Sequence, residues 1–192
     1  MTPPAGAGGV PSRVIPQASL DLVKQIDGNV SDPTNFEKTA DGQWWKVTFA
    51  ALGSFKYDVP DPDELRKSPT PTKPLKDQIP AKLKGLDKQK VLVVGFMVPI
   101  EITREGKVKS FAITQNQQFC CFGVPPAMNE WVMVTMEEGK VADYIMDLPV
   151  AAYGELAVSE EIEDGYVLSM YRMKSSEVIT ANELLKRTKK PS

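Results

Sequence analysis

Histidine is missing from all 192 residues, which excludes every mechanism that needs an imidazole as base, metal ligand or proton shuttle near neutral pH. Neither a Ser/His/Asp set nor an HExxH zinc helix can therefore be built, and there is no GxxxxGK[ST] loop and no GxGxxG turn after a strand. No apolar run approaches the ~20 residues that a bilayer-crossing helix needs, and the first residues show neither a basic start nor an apolar signal core. A dominant positive surface is lacking too. The 23 Lys plus Arg face 25 Asp plus Glu, for a net charge of −2 and a pI near 5.4, whereas nucleic-acid binding ordinarily needs a strong basic excess. What is present is ordinary for a folded domain: 42% apolar residues in a length that suits one medium domain with tails.

Eleven of the 16 prolines, from Pro3 to Pro80, fall in the first eighty positions, where each fixes φ and removes a backbone donor. Residues 1–43 read as a flexible Pro/Gly-rich leader, because residues 1–16 bury too little apolar area to offset their ordering entropy. Within it, Leu20, Val23 and Ile26 recur at helical spacing, so a short helix is expected over Ser19–Ile26, before Gly28 and Asn29. An aromatic segment, Trp44–Val59, precedes a Pro60–Pro74 linker, and Pro80 and Gly85 bracket another short helix at Ile79–Leu86.

From residue 90 the pattern changes to strands. Val91–Ile102 is β-branched and interrupted by Gly95 and Pro99, which predicts a long central strand with a bend or bulge at the glycine. Arg104–Lys107 turns the chain into Val108–Thr114, making a hairpin. Trp131–Met136, Val150–Val158 and Gly165–Met173 supply further strands, the last two about a polar Glu160–Asp164 connection. Thr180 with Glu183 three positions on is a capping box that opens a helix at Thr180–Arg187. The expected architecture is mainly β: a small five- or six-stranded antiparallel barrel, similar to the oligonucleotide/oligosaccharide-binding fold, over residues 44–179, with short peripheral helices and a C-terminal helix and basic tail over 180–192. Closure removes the edges that so few strands would otherwise expose. An open sheet covered on one face by the aromatic segment is the competing arrangement. No fixed-period repeat occurs.

The stretch from Gln115 to Glu130 does not resemble packing material. Adjacent Cys120 and Cys121 have three readings: a strained vicinal disulfide, a pair of thiolates for a soft metal such as zinc or copper, assisted by Met128 or Glu130, or small buried apolar groups between Phe119 and Phe122. Gly123 with Pro125 and Pro126 stiffens the loop and allows close backbone approach. A thiolate nucleophile is disfavoured, since no histidine can act as base or supply positive charge. The methionines read as core filler, because Met133 and Met136 point to opposite faces of one strand, and Trp44, Trp45 and Trp131 read as core before they read as stacking platforms. Glu137–Asp164 holds nine acids against Lys140, which repels phosphate, while Lys73–Lys109 holds nine bases against four acids, a strip that a solvated face explains as well.

Taken in order, Trp45–Tyr57, Leu86-Asp87 with Val91–Glu101, Cys120-Cys121-Phe122-Gly123, Asn129-Glu130-Trp131-Val132 and Asp164-Gly165-Tyr166 to Tyr171 resemble the bacterial domain of unknown function 3299 family over roughly Trp44–Val178. The most specific piece is Cys-Cys-Phe-Gly-x-Pro-Pro-x-x-Asn-Glu-Trp-Val. The resemblance implies an exported, periplasmic protein, tied to a membrane only through a removed or absent N-terminal anchor. It favours a ligand role for the loop, where many members carry Cys followed by His in place of Cys120-Cys121. The expected function is a non-enzymatic binding module that holds a small ligand, a protein partner or a soft metal. Its expected ligand-binding residues are Phe119, Cys120, Cys121, Phe122, Gly123, Pro125, Pro126, Asn129, Glu130 and Trp131, with Cys120, Cys121 and Met128 as the metal set. In an oxidising compartment exposed vicinal thiols do not stay inert, so a thiol/disulfide redox protein is the competing class. An OB-like domain for nucleic acid or protein is the second alternative.

Overall fold

The computed structural model describes residues 17–27, 32–116 and 126–189, so the leader over 1–16 lies outside the described residues. Helix α1 (Gln17–Asp27) precedes strand β1 (Trp45–Val47), then the short helices α2 (Phe49–Leu52), α3 (Pro62–Lys67) and α4 (Ala81–Lys84). Strands β2 (Gln89–Ile102), β3 (Lys107–Thr114), β4 (Trp131–Met136), β5 (Ala142–Asp143), β6 (Val150–Glu163) and β7 (Tyr166–Thr180) follow, and helix α5 (Ala181–Lys189) closes the order.

Strand β2 is apolar on both sides because it has a core on both sides. Val91, Val93 and Met97 enter the main core, with Ile113, Val132, Val134, Leu156, Met170 and Met173 among its members. Leu92, Val94 and Phe96 alternate into a second cluster with Val23 of α1 and Leu184 of α5. Up to Gly95 the strand pairs antiparallel with β6, and from Phe96 it pairs antiparallel with β3. The strand thus exchanges partners at the glycine, where a bend or bulge was expected, and its register shifts come later, between Pro99 and Ile102. A Cβ built at Gly95 would lie 2.5 Å from the Thr114 carbonyl oxygen and 2.7 Å from Cε2 of Phe49, so only glycine permits this approach.

The seven strands form one mixed sheet in the order β1-β2-β6-β7-β4-β3-β5, and β2 pairs also with β3, which closes the cycle β2–β6–β7–β4–β3. The expectation of a wholly antiparallel set is corrected at two places: β1 runs parallel to β2, and β4 runs parallel to β7. Side-chain alternation is the same in both directions, so patterning could not have revealed the sense. The count also exceeds five or six, because β1 and β5 are fragments of three and two residues.

Two more expectations give way. Within the Pro60–Pro74 linker, α3 forms because Asp61 accepts from the backbone N–H groups of Asp63 and Glu64 and Pro62 occupies the first turn. Its Leu65 is fully buried against Ile162 and Val167, a contact worth about 2 kcal/mol. The polar Glu160–Asp164 stretch is not a loop: β6 continues to Glu163 and reverses over Asp164 and Gly165, both at positive φ (50° and 80°), the two-residue turn that matches strand twist. The tryptophans are half-buried at the margins, Trp44 against the ring of Tyr153 with centroids 5.1 Å apart.

The remaining helices form as expected. α1 overlaps Ser19–Ile26, and α4 starts after Pro80 and stops at Gly85. At α5, the Glu183 carboxylate accepts from the Thr180 N–H at 3.1 Å while Thr180 Oγ1 accepts from the Glu183 N–H at 3.1 Å, completing the capping box.

Gly95→Ala is expected to cost about 3 kcal/mol, the upper end for overpacking, because one of the atoms met is a backbone carbonyl. Gly106→Ala, where a Cβ meets nothing within 4 Å, is expected to lose only the positive-φ penalty of about 1 kcal/mol. Urea midpoints of the two variants check the difference.

Candidate functional site

Thr114 and Trp131 face each other as partners of β3 and β4, so residues 115–130 leave and re-enter the sheet at one point. Of the expected binding residues, Phe119, Cys120, Cys121, Phe122, Gly123 and Pro125 lie outside the described residues, whereas Pro126, Met128, Asn129, Glu130 and Trp131 can be placed.

At the departing end, Thr114 is buried and its Oγ1 donates to the Asn116 carbonyl at 2.5 Å, turning the chain out of the strand. At the returning end, a turn is closed twice: Glu130 N–H donates to the Ala127 carbonyl at 2.9 Å, and Ala127 N–H donates to Oε2 of Glu130 at 3.0 Å. Asn129 is 4% exposed, and its Nδ2 donates to the Phe55 carbonyl at 2.7 Å. Met128 packs half-buried against both the main core and the cluster at the β6–β7 turn. Glu130 is exposed, and Pro126 and Trp131 are half-buried. The structure therefore brings Met128, Asn129 and Glu130 together on one turn and gives Asn129 a fastening role.

The partner of that turn is residues 53–57, within the aromatic Trp44–Val59 segment, whose contact with the turn no sequence signal indicated. Thr48 caps α2 by accepting from the Ala51 N–H at 3.2 Å. After this single helical turn the carbonyls of Leu52 and Phe55 need outside donors. Tyr171 supplies one, its hydroxyl donating to the Leu52 oxygen at 3.0 Å, and Asn129 the other. Burial pushes the Tyr171 phenol well above its ordinary range, which keeps it a protonated donor. Tyr57 donates to Glu160 at 2.7 Å, and burial, then the Glu160 carboxylate, raises its phenol as well. Glu160 in turn is raised, first by burial and then by Asp77, against the opposing Tyr57 hydrogen bond and Lys84. Beside it, Asp87 accepts from the Val158 N–H at 2.9 Å, next to the register shift between Val158 and Glu161. These distant aromatic and acidic partners carry no spacing signal. The strings that carry the family resemblance include Tyr57, Asp87 and Tyr171 but indicate none of their partners.

No group of three or more Cys, Asp or Glu side chains placed to hold a metal occurs among the described residues.

Asn129→Ala leaves the Phe55 carbonyl without its donor and is expected to cost about 1–3 kcal/mol, read as a lower urea midpoint, with Asn129→Asp falling in the same direction. A carboxyl whose folded value is raised binds protons more readily in the folded protein, so Glu160 lowers stability as pH rises from its unfolded value of 4.5 through its folded one. Glu160→Gln keeps an acceptor for Tyr57 and is expected to flatten that fall, measured as denaturation midpoints between acidic and neutral pH.

No curated protein matches this sequence. The chain is similar to the crystal structure of a DUF3299 family protein from Pseudomonas aeruginosa PAO1, at 22% identity over 70% of this chain and 94% of that one, with a TM-score of 0.47. The sequence profile described as protein of unknown function (DUF3299) matches residues 63–180, from the first turn of α3 to the end of β7, which is more than half of the chain, and the protein belongs to that family.

Proposed function

We propose that the closed cycle of five strands is an OB-like barrel and that the protein is a non-enzymatic binding module whose recognition element is the 115–130 excursion. The cycle β2–β6–β7–β4–β3, with its single parallel contact between β4 and β7, supports the barrel. The observation that carries the binding role is the fastening of both ends of the excursion: Thr114 to Asn116 on one side, and the Ala127–Glu130 turn and the Asn129–Phe55 bond on the other. A loop on fixed posts loses less entropy when it takes a ligand. The ligand chemistry is that of two adjacent sulfurs, Cys120 and Cys121, which favour a soft cation such as zinc or copper(I) over hard ions. A nucleic-acid partner has less support, because in the basic strip Lys82, Lys84, Lys107 and Lys109 each pair with a carboxylate. The proposed compartment is the periplasm, as the family resemblance implies.

Elemental analysis of the full chain after exposure to zinc or copper(I) and dialysis tests the metal reading. About one equivalent per chain is expected, with loss of that equivalent in the Cys120→Ser, Cys121→Ser double variant. Equal metal in both proteins, or none in the parent, overturns it. A gain of about two daltons on mild reduction of the purified protein assigns the pair to thiol/disulfide chemistry instead.

A further inference from the structure

A second site lies on the sheet face opposite the main core. In the parallel register of β1 with β2, Lys46 stands beside Leu92, while its neighbours Trp45 and Val47 turn toward the main core. Lys46, Leu92 and Val94 thus share the side that α5 covers with Leu184 and Leu185. Between them is an apolar slot of about 300 Å³, rimmed by Thr39, Ala40, Thr48 and Thr188. No residue of the 115–130 excursion lines it.

Helix α5, one wall of the slot, is fixed near both of its ends. The Thr180–Glu183 capping box fixes the start of α5, and Arg187 grips Glu177 of β7 with two bonds of 2.9 Å. Its volume is roughly twice the ~150 Å³ of a dry cavity that accepts benzene, which corresponds to a ligand of about twelve non-hydrogen atoms. Most of its polar atoms are already engaged: Thr39 donates to Asp41, Thr48 accepts from Ala51, and Thr188 donates to the Leu185 carbonyl. Lys46 is exposed and makes no ion pair among the described residues. Lys38 and Lys90 stand nearby on the same segment and strand, over the rings of Trp45 and Trp44 at 4.9 and 5.8 Å. The acid next to the rim, Asp41, accepts from the Thr39 hydroxyl and the Gln43 N–H, which hold its carboxyl below the usual range and keep it ionised, so it opposes the lysines in part.

An unbranched apolar tail with one anionic head matches this arrangement in size, polarity and charge. We propose that the slot binds a medium-chain carboxylate, with its tail between α5 and β2 and its head at Lys46.

Calorimetric titration of the full chain with decanoate below its micelle concentration, with decanol and decylamine as length-matched probes, tests the assignment. One saturable site is expected, tighter for decanoate than for decylamine. Lys46→Glu, at an exposed position, is expected to weaken decanoate about five- to tenfold and to leave decanol within about twofold. Ala40→Trp, also exposed, plugs the mouth and is expected to abolish binding of both, with circular dichroism confirming that both variants fold. The Cys120→Ser, Cys121→Ser variant is expected to bind decanoate as the parent does. Absence of saturable decanoate binding, equal affinity for decylamine, unchanged binding in both slot variants, or loss of binding in the cysteine variant overturns the proposal.

Discussion

The approach of β2 to the end of β3 at Gly95 organises the molecule around the 115–130 excursion. The missing side chain leaves room for the Thr114 carbonyl and the Phe49 ring together. Strand β2 can therefore leave β6 and take up β3 within one residue, and α2 is drawn in under the same point. Thr114 is the last residue of β3, so the place where the strands trade partners is also where the excursion departs. The exchange of partners, the seating of α2 and the root of the excursion are one packing event.

From that event follows a problem of backbone satisfaction. Helix α2 lasts a single turn, and the chain after it carries carbonyls that no helix or ladder can serve. The donors arrive from far along the chain, Tyr171 at a separation of 119 residues and Asn129 at 74. Each bond ties residues 49–57 to a different part of the sheet, and the second also ties down the returning end of the excursion. No buried side-chain nitrogen or oxygen among the described residues is left without a partner. This is the condition under which buried polar links hold one geometry rather than several.

The second consequence concerns the outer face of β2. A strand with apolar side chains on both sides needs a cover on each, and outside the main core that cover is two helices, α1 through Val23 and α5 through Leu184. Their grip is local. The capping box and the Arg187–Glu177 fork fix α5 over one end of the apolar face, and β1 brings Lys46 to its border. The slot is the space between a helix that reaches part of the way across and a strand fragment too short to fill the rest.

Local signals named many of the elements directly. The capping box at Thr180 and Glu183 and the hairpin about Gly106 are each set by chemistry within a few residues, and the motif through Asn129-Glu130-Trp131-Val132 was enough to indicate the family. The helix at Pro62 and the turn at Asp164-Gly165 were equally local, but polar composition concealed them because Leu65, Ile162 and Val167 are apolar only as a spatial group. Asn129 was legible as notable and illegible as a fastener, since its acceptor is the carbonyl of Phe55, which every residue type carries. By itself the sequence determined which segments alternate, turn and cap. Only the tertiary structure decided the parallel sense of β1 and β4, the partners of Asn129 and Tyr171, and the meeting of Lys46 with the apolar face of β2, because each depends on groups brought together by the closed path of the sheet rather than by proximity along the chain.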